Sequence, residues 1–267
     1  MVLMPTDQVA LRFAPNGRWA AVRDLCGADE SAVEGTGTPA AIALVDRLLV
    51  AAPGTGVGPG MAAMLIGSDR DRILTAIYTR AFGAQVQSTV TCNECGESFD
   101  LDFRLDQLAE SLGEQTGHAT LHPGEDGLFT LENGVRFRLP TGEDECSVIG
   151  MTIDEGVLEL ARRCVVGGNT TSDIEKCQQS MEEVAPIVDL DLDAVCPNCD
   201  AAQSLHFNLQ QYLLQKLIAE RRQLAAEVHS LARAYGWGLN EILQLSRNQR
   251  RMYAELVAPR DSAGRRW

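Results

Sequence analysis

An α+β fold is what the sequence predicts, and three observations predict it. Two CxxC pairs, Cys92/Cys95 and Cys196/Cys199, lie about a hundred residues apart, and each runs into a strand of alternating apolar residues. The stretch between them mixes a hairpin signal with helical periodicity. The last fifty residues read almost entirely as amphipathic helix. Together these describe zinc-ribbon-like β knuckles with a large α/β insertion, flanked by N-terminal helices and a C-terminal helical tail.

Taken in order, QVALRFA and GRWAAVRDL carry weak strand character, and a helix follows at about residues 39–51. The run PGTGVGPG, residues 53–60, reads as a loop and flexible linker. It is not a phosphate loop, because no Lys-Ser or Lys-Thr follows and no strand precedes it. SDRDRILTAIYTRAFG reads as a helix, with Ile73, Ile77 and Ala81 at helical spacing and Gly83 as its terminator. After the first knuckle, DLDFRLDQLAESLGE passes from strand into a short helix. LFTLENGVRFRLPTG reads as a hairpin turning at Glu132-Asn133-Gly134. Thr141 and Asp144 are spaced as a capping box. Helices follow in IDEGVLELARRCVVGG and in TSDIEKCQQSMEEVAPIV, the latter stopped by Pro186. IVDLDLDAVCPNC returns to strand alternation and the second knuckle.

Set side by side, CNECGESFDLDFRL and CPNCDAAQSLHFNL are one unit used twice. Leu101, Phe103 and Leu105 follow the first pair at the same offsets at which Leu205, Phe207 and Leu209 follow the second. Two facing CxxC turns supply four thiolates, the set that a closed tetrahedral structural zinc prefers. One structural Zn2+ per chain, held by Cys92, Cys95, Cys196 and Cys199, is therefore expected. Four thiolates leave no open position for catalysis, and a redox CxxC would not need two copies. Cys26, Cys146, Cys164 and Cys177 lack partners at ligand spacing and read as buried thiols. His206 falls on the face opposite Leu205 and Phe207, and His118 and His122 sit in a loop without acidic or Cys company, so none is expected as a ligand.

The segments that follow are residues 1–60 (N-terminal segment and linker), 61–105 (helix and first half of the ribbon), 106–188 (inserted α/β subdomain), 189–210 (second half), 211–258 (helical tail) and 259–267 (a disordered end). An insertion of this size is tolerable because loop-closure entropy grows slowly with length.

The tail is expected to begin as one long helix, NLQQYLLQKLIAERRQLAAEVHSLARAYGW, with Leu213, Leu217, Leu224, Val228, Leu231 and Tyr235 as its stripe. LNEILQL is a short helix, and Ser246 with Gln249 caps a last one through Val257. Residues 219–267 carry nine Arg against five acidic residues, whereas the chain as a whole has a net charge of −14. That overall charge argues against nucleic acid as a partner. A short helix, a turn and a capped helix bearing Arg247, Arg250 and Arg251 nonetheless resemble a helix-turn-helix, so a zinc-ribbon DNA-binding or transcription-associated protein is the alternative reading. No run of 18 apolar residues suggests a membrane span, and the N-terminus lacks secretory-signal features, so a cytoplasmic location is expected. No nucleophile motif, HExxH or nucleotide loop is present, and an enzyme is not expected.

The order of these parts, above all AYGWGLNEILQLSRNQRRMYAEL and the RLPTG segment with the paired CxxC, resembles the phage baseplate hub assembly chaperone family of the T-even type. It is more closely similar to the versions encoded with contractile injection systems. The resemblance spans roughly residues 35–258. It implies a non-enzymatic protein that builds or completes a baseplate hub, with hub, spike or wedge proteins as partners. It also implies the four knuckle cysteines as the zinc site and the tail around Tyr235, Trp237, Arg250 and Tyr253 as a docking element.

Overall fold

The computed structural model describes residues 6–14, 18–117, 121–167 and 170–257. The expected disordered end and His118 lie outside them. Strand β1 (Thr6–Ala10) pairs antiparallel with β2 (Trp19–Arg23). A short helix α1 (Gly27–Ser31) follows, then α2 (Thr38–Leu48), which opens with a proline in its first turn and faces Ala41, Leu44, Val45 and Leu48 inward at helical spacing. β3 (Leu49–Val50) completes a sheet of order β1-β2-β3.

The glycine-rich loop is not a linker between bodies. Gly56 donates to the Trp19 carbonyl at 2.9 Å, Val57 bridges Ala20 and is buried, and one core runs from Val9 through Val57 to Leu217. Beyond a 3-10 turn at Ala62–Met64 comes α3 (Gly67–Phe82), which buries Ile73, Leu74, Ile77 and Tyr78. Gly83 ends it at φ 87, a conformation that a Cβ disfavours.

β4 (Gln85–Thr91) and β5 (Ser98–Arg104) form the first knuckle hairpin. Helix α4 (Leu105–Gly117) is longer than the sequence suggests. It packs on the main core through Leu105, Leu108 and Leu112, so it belongs with the main body rather than with the insertion. The insertion's own core is Phe129, Val135, Phe137, Leu139, Cys177 and Val184, joined by Ile66. Its hairpin, β6 (Phe129–Thr130) and β7 (Arg136–Phe137), has only two residues per strand and turns where Gly134, at φ 83, donates to Leu131. Then come α5 (Gly142–Ser147), α6 (Ile153–Cys164), β8 (Val165–Val166) and α7 (Thr171–Val184). The helix expected to run to the glycine pair stops at Cys164, because Val165 and Val166 pair with β7 as a third strand. Capping boxes open α5, α6 and α7 at Thr141/Asp144, Thr152/Glu155 and Thr170/Asp173.

β9 (Asp189–Val195) and β10 (Ala202–Asn208) form the second knuckle hairpin. The tail then departs from expectation. Its long helix is two, α8 (Leu209–Ala219) and α9 (Arg221–Tyr235), broken at Glu220. α8 buries Leu209, Leu213, Leu214 and Leu217 in the main core, each worth roughly 1.5–3 kcal/mol. The break frees α9 to pack Leu224, Glu227 and Leu231 against other partners, α10 (Leu239–Leu243) and α11 (Arg247–Val257).

Candidate metal centre and tail interface

The two knuckles are built alike atom by atom. Cys92 and Cys196 each donate a backbone N–H to the carbonyl five residues on, Glu97 and Ala201, at 2.9 Å. Their own carbonyls accept from Gly96 and Asp200 at 3.0 and 2.9 Å. Both of those residues take positive φ, 74 and 58. Glycine does this freely, and aspartate is among the few side chains that tolerate it. At the hairpin bases Leu105 donates to Ala84 and Leu209 to Val188, again 2.9 Å each, and both leucines are wholly buried. Phe103 meets Phe207 edge to face at 4.9 Å, an arrangement that adds about 0.5–1.5 kcal/mol to their burial.

This framing brings together all four predicted cysteines. Their sulfurs lie within 4.8 Å of one another. Cys92 Sγ is 3.7 Å from Cys199 Sγ, and Cys95 Sγ is 3.8 Å from Cys196 Sγ. A tetrahedron with metal–sulfur bonds of about 2.3 Å has edges of about 3.8 Å, so the cluster has the dimensions of a thiolate metal site. Cys92 and Cys196 are buried, while Cys95 and Cys199 face outward. The Asn93 N–H donates to Gln203 Oε1 at 3.1 Å, and the Asn198 amide donates to Cys95 Sγ at 3.6 Å, so two side chains of the second hairpin hold the first knuckle. The Glu97 backbone N–H and the Asn198 amide pull the Cys95 thiol down to about 6. At Cys199 the Ala201 N–H acts in the same sense, but desolvation and the neighbouring thiols outweigh it and push that group up to about 12. Four thiols this close cannot all ionise unaided. A bound dication would remove that conflict by holding every sulfur as thiolate.

His206 stays outside the cluster, exposed between Asp189 and Asp191 at 2.9 and 3.1 Å. Cys26, Cys164 and Cys177 are buried thiols and Cys146 is half-buried. Desolvation pushes Cys164 up to about 11, which keeps it protonated.

A model of the T4 bacteriophage base plate protein family matches residues 55–213, more than half of the chain and the whole span holding both knuckles. The chain belongs to that family. No curated protein and no solved structure shows a significant match. Membership implies interaction with other baseplate components. No helix among the described residues is long and apolar enough to cross a membrane.

Both flanks of the matched span contribute to a second site, which sequence reasoning missed. Arg250, expected at a docking surface, is instead completely buried. Its Nη2 donates to Glu30 at 2.7 Å and its Nε to Glu227 at 2.7 Å. Arg247, also buried, donates to Glu30 at 2.6 Å and pairs with Glu220, while its guanidinium lies 4.3 Å from the centre of the Phe82 ring. Arg251 pairs with Glu220 at 3.0 Å. Burial works to lower the Arg250 pKa, but Glu30 and Glu227 outweigh it and raise it, so the cation persists. Arg250 thus braces the interior and cannot face a partner. The same committed arginines remove the basic surface that the helix-turn-helix reading required. Gly27 is needed here, because a Cβ would lie 2.9 Å from Leu243 Cδ2 and 3.0 Å from Arg250 Nη1. One signal was available in the sequence: Glu227 sits between Leu224 and Leu231 at helical spacing, a carboxylate inside an apolar stripe.

The remaining three docking candidates are together. Tyr235 stacks on Trp237 at 4.7 Å, and Tyr253 meets both edge-on at 6.2 and 5.3 Å. Tyr235 is 41% exposed, and Leu239 on α10 and Met252 and Leu256 on α11 are also exposed.

Proposed function

We propose that this protein is a non-enzymatic assembly or structural component of the baseplate hub in a phage-tail-like contractile injection system, braced by one structural Zn2+. The observation that carries the reading is membership of a base plate protein family by the very span that closes the four-cysteine cluster. In this reading Cys92, Cys95, Cys196 and Cys199 hold the metal, whose coordination energy fixes two hairpins distant in sequence as one rigid base. The aromatic group Tyr235, Trp237 and Tyr253 is the docking element, since clustered, partly exposed Tyr and Trp are the side chains that anchor interfaces. Hub, spike or wedge proteins are the partners, and the work is done in the cytoplasm where such particles are built.

The test is a tagged pull-down of the full chain from its native cell, with mass spectrometry of what is retained and metal analysis of the bait. Hub, spike or wedge proteins and one zinc per chain are expected. Trp237→Ala with Tyr253→Ala should lose those partners while zinc content and circular dichroism stay unchanged. Retention of every partner by that variant refutes the docking element. Recovery of RNA polymerase or of DNA in their place refutes the hub role.

A further inference from the structure

Nearly half of the exposed large apolar side chains among the described residues fall between positions 149 and 166 of the insertion. They are Ile149, Met151, Ile153, Val157, Leu158 and Val166, on α6 and the chain just before and after it. None belongs to the cysteine cluster or to the aromatic tail. Exposed apolar residues scattered singly are ordinary, whereas a concentration of them marks a contact.

The insertion covers only one side of α6. Gly156, Ala161 and Cys164 are buried, and a Cβ at Gly156 would lie 3.7 Å from Val148 Cβ. Turned away from that side are Asp154, Leu158 and Arg162, all three exposed. They stand four positions apart, so each step rises about 6 Å and turns about 40°, and the three form a single row.

The two charges of this row have no use within the chain. Glu159 and Arg163 on the same helix pair with each other at 3.1 Å. Asp154 and Arg162 are about 12 Å apart along the helix axis, too far to meet. Neither side chain makes an ion pair or hydrogen bond among the described residues. The row is therefore symmetric in position about Leu158 and opposite in charge at its two ends. A copy of the same row, laid antiparallel, answers every member at once.

We propose that α6 is the contact between two copies of this chain, paired antiparallel about a two-fold axis at Leu158. Such a contact uses the same patch on both subunits. Leu158 meets its own counterpart, and Asp154 of each copy comes level with Arg162 of the partner subunit, twice over. Met151 and Val166, seven and eight positions to either side of Leu158, come level across the same axis. An unrelated partner would cover the apolar side chains but would leave unexplained two unpaired charges set at equal distances from Leu158. A helix of 12 residues is about 18 Å long, so the interface lies at the low end of specific contacts, under about 1,200 Å² in total. The dimer is accordingly weak, and the charges fix its orientation more than its strength.

The test is sedimentation velocity of the full chain over a range of concentrations. Salt is set at about 0.15 M, where a Debye length of about 8 Å screens the net charge of −14 on each copy. A reversible monomer–dimer equilibrium in the micromolar range is expected. Leu158→Glu should abolish it with the melt unchanged. Asp154→Arg and Arg162→Asp should each weaken it at least about tenfold, since each sets like charges together on both sides of the axis. Because both substitutions also oppose the dipole of α6, the two single variants are then mixed. In a mixed dimer a row with two arginines faces a row with two aspartates, so mixing should restore the association that neither shows alone. A monomer at every concentration, a dimer that survives Leu158→Glu, or a mixture no more associated than its components each overturn the proposal. A dimer abolished only by Trp237→Ala with Tyr253→Ala places the contact on the tail and overturns it as well.

Discussion

The cysteine cluster and the buried ion network do the same mechanical work by opposite means. Each ties together parts of the chain that are far apart in sequence, Cys92 to Cys199 in one case and Glu30 to Arg250 in the other. In the cluster the four groups repel unless something from outside joins them. In the network the charges compensate one another inside the protein, two buried guanidiniums against Glu30, Glu227 and the half-buried Glu220. The first tie depends on its surroundings, namely on metal and thiol redox state. The second depends only on every member being present.

The widest separation between them should come from metal removal. Chelation, or Cys92→Ser with Cys196→Ser, should lower the thermal midpoint by on the order of 10–20 °C, since coordination supplies several kcal/mol and each shifts the midpoint by roughly 2–4 °C at this size. The same chelator should leave the ion network's contribution untouched. A melt indifferent to chelation and to both serines would erase the distinction.

Next is Arg250→Ala, which takes one of two guanidiniums from the buried Glu30 and leaves the buried Glu227 only the more distant Arg251, and should lower stability by about 3 kcal/mol in urea unfolding. Replacing the set together (Glu30→Leu, Glu227→Leu, Arg247→Met, Arg250→Met) should recover most of that loss, because well-packed apolar groups often equal a buried ion pair. If the quadruple variant is worse than the single one, the network is more than mutual compensation.

A third test concerns a buried charge without such compensation. Burial pushes the Asp71 carboxyl up to about 6, although Val188 donates to it at 2.7 Å. The folded protein therefore binds this proton more tightly than the unfolded chain, and stability from this group falls as pH rises from about 4 to 6 and is flat above. Asp71→Asn should remove that slope and gain on the order of 2 kcal/mol at pH 7. Identical pH profiles for variant and parent would count against the shift.

The smallest effect belongs to a purely local tie. Thr170→Ala removes one capping box, where Asp173 N–H donates to the Thr170 hydroxyl at 3.2 Å, and should cost about 1 kcal/mol by denaturant melt.

These contrasts track what could be read in the sequence. The knuckles were legible because their chemistry is local: two cysteines per turn, then leucine, phenylalanine and leucine at fixed offsets, all four sulfurs converging as expected. The capping boxes of the insertion were legible for the same reason. The α8–α9 break was not, because the apolar stripe continues through Glu220 and only the arginines of α11 draw that carboxylate aside. Nor was the burial of Arg250, since an arginine-rich helix looks solvated until its carboxylates, one of them 220 positions away, are known. The β8 strand was hidden in two valines that a helix would have accepted equally well.

The Glu30–Arg250 tie has a consequence for how the molecule can be cut. Its partners stand 220 positions apart, on opposite sides of the family-matched span. A fragment of residues 55–213 would keep both knuckles and lose every charge of the network, so the two ties can be separated by truncation as well as by substitution.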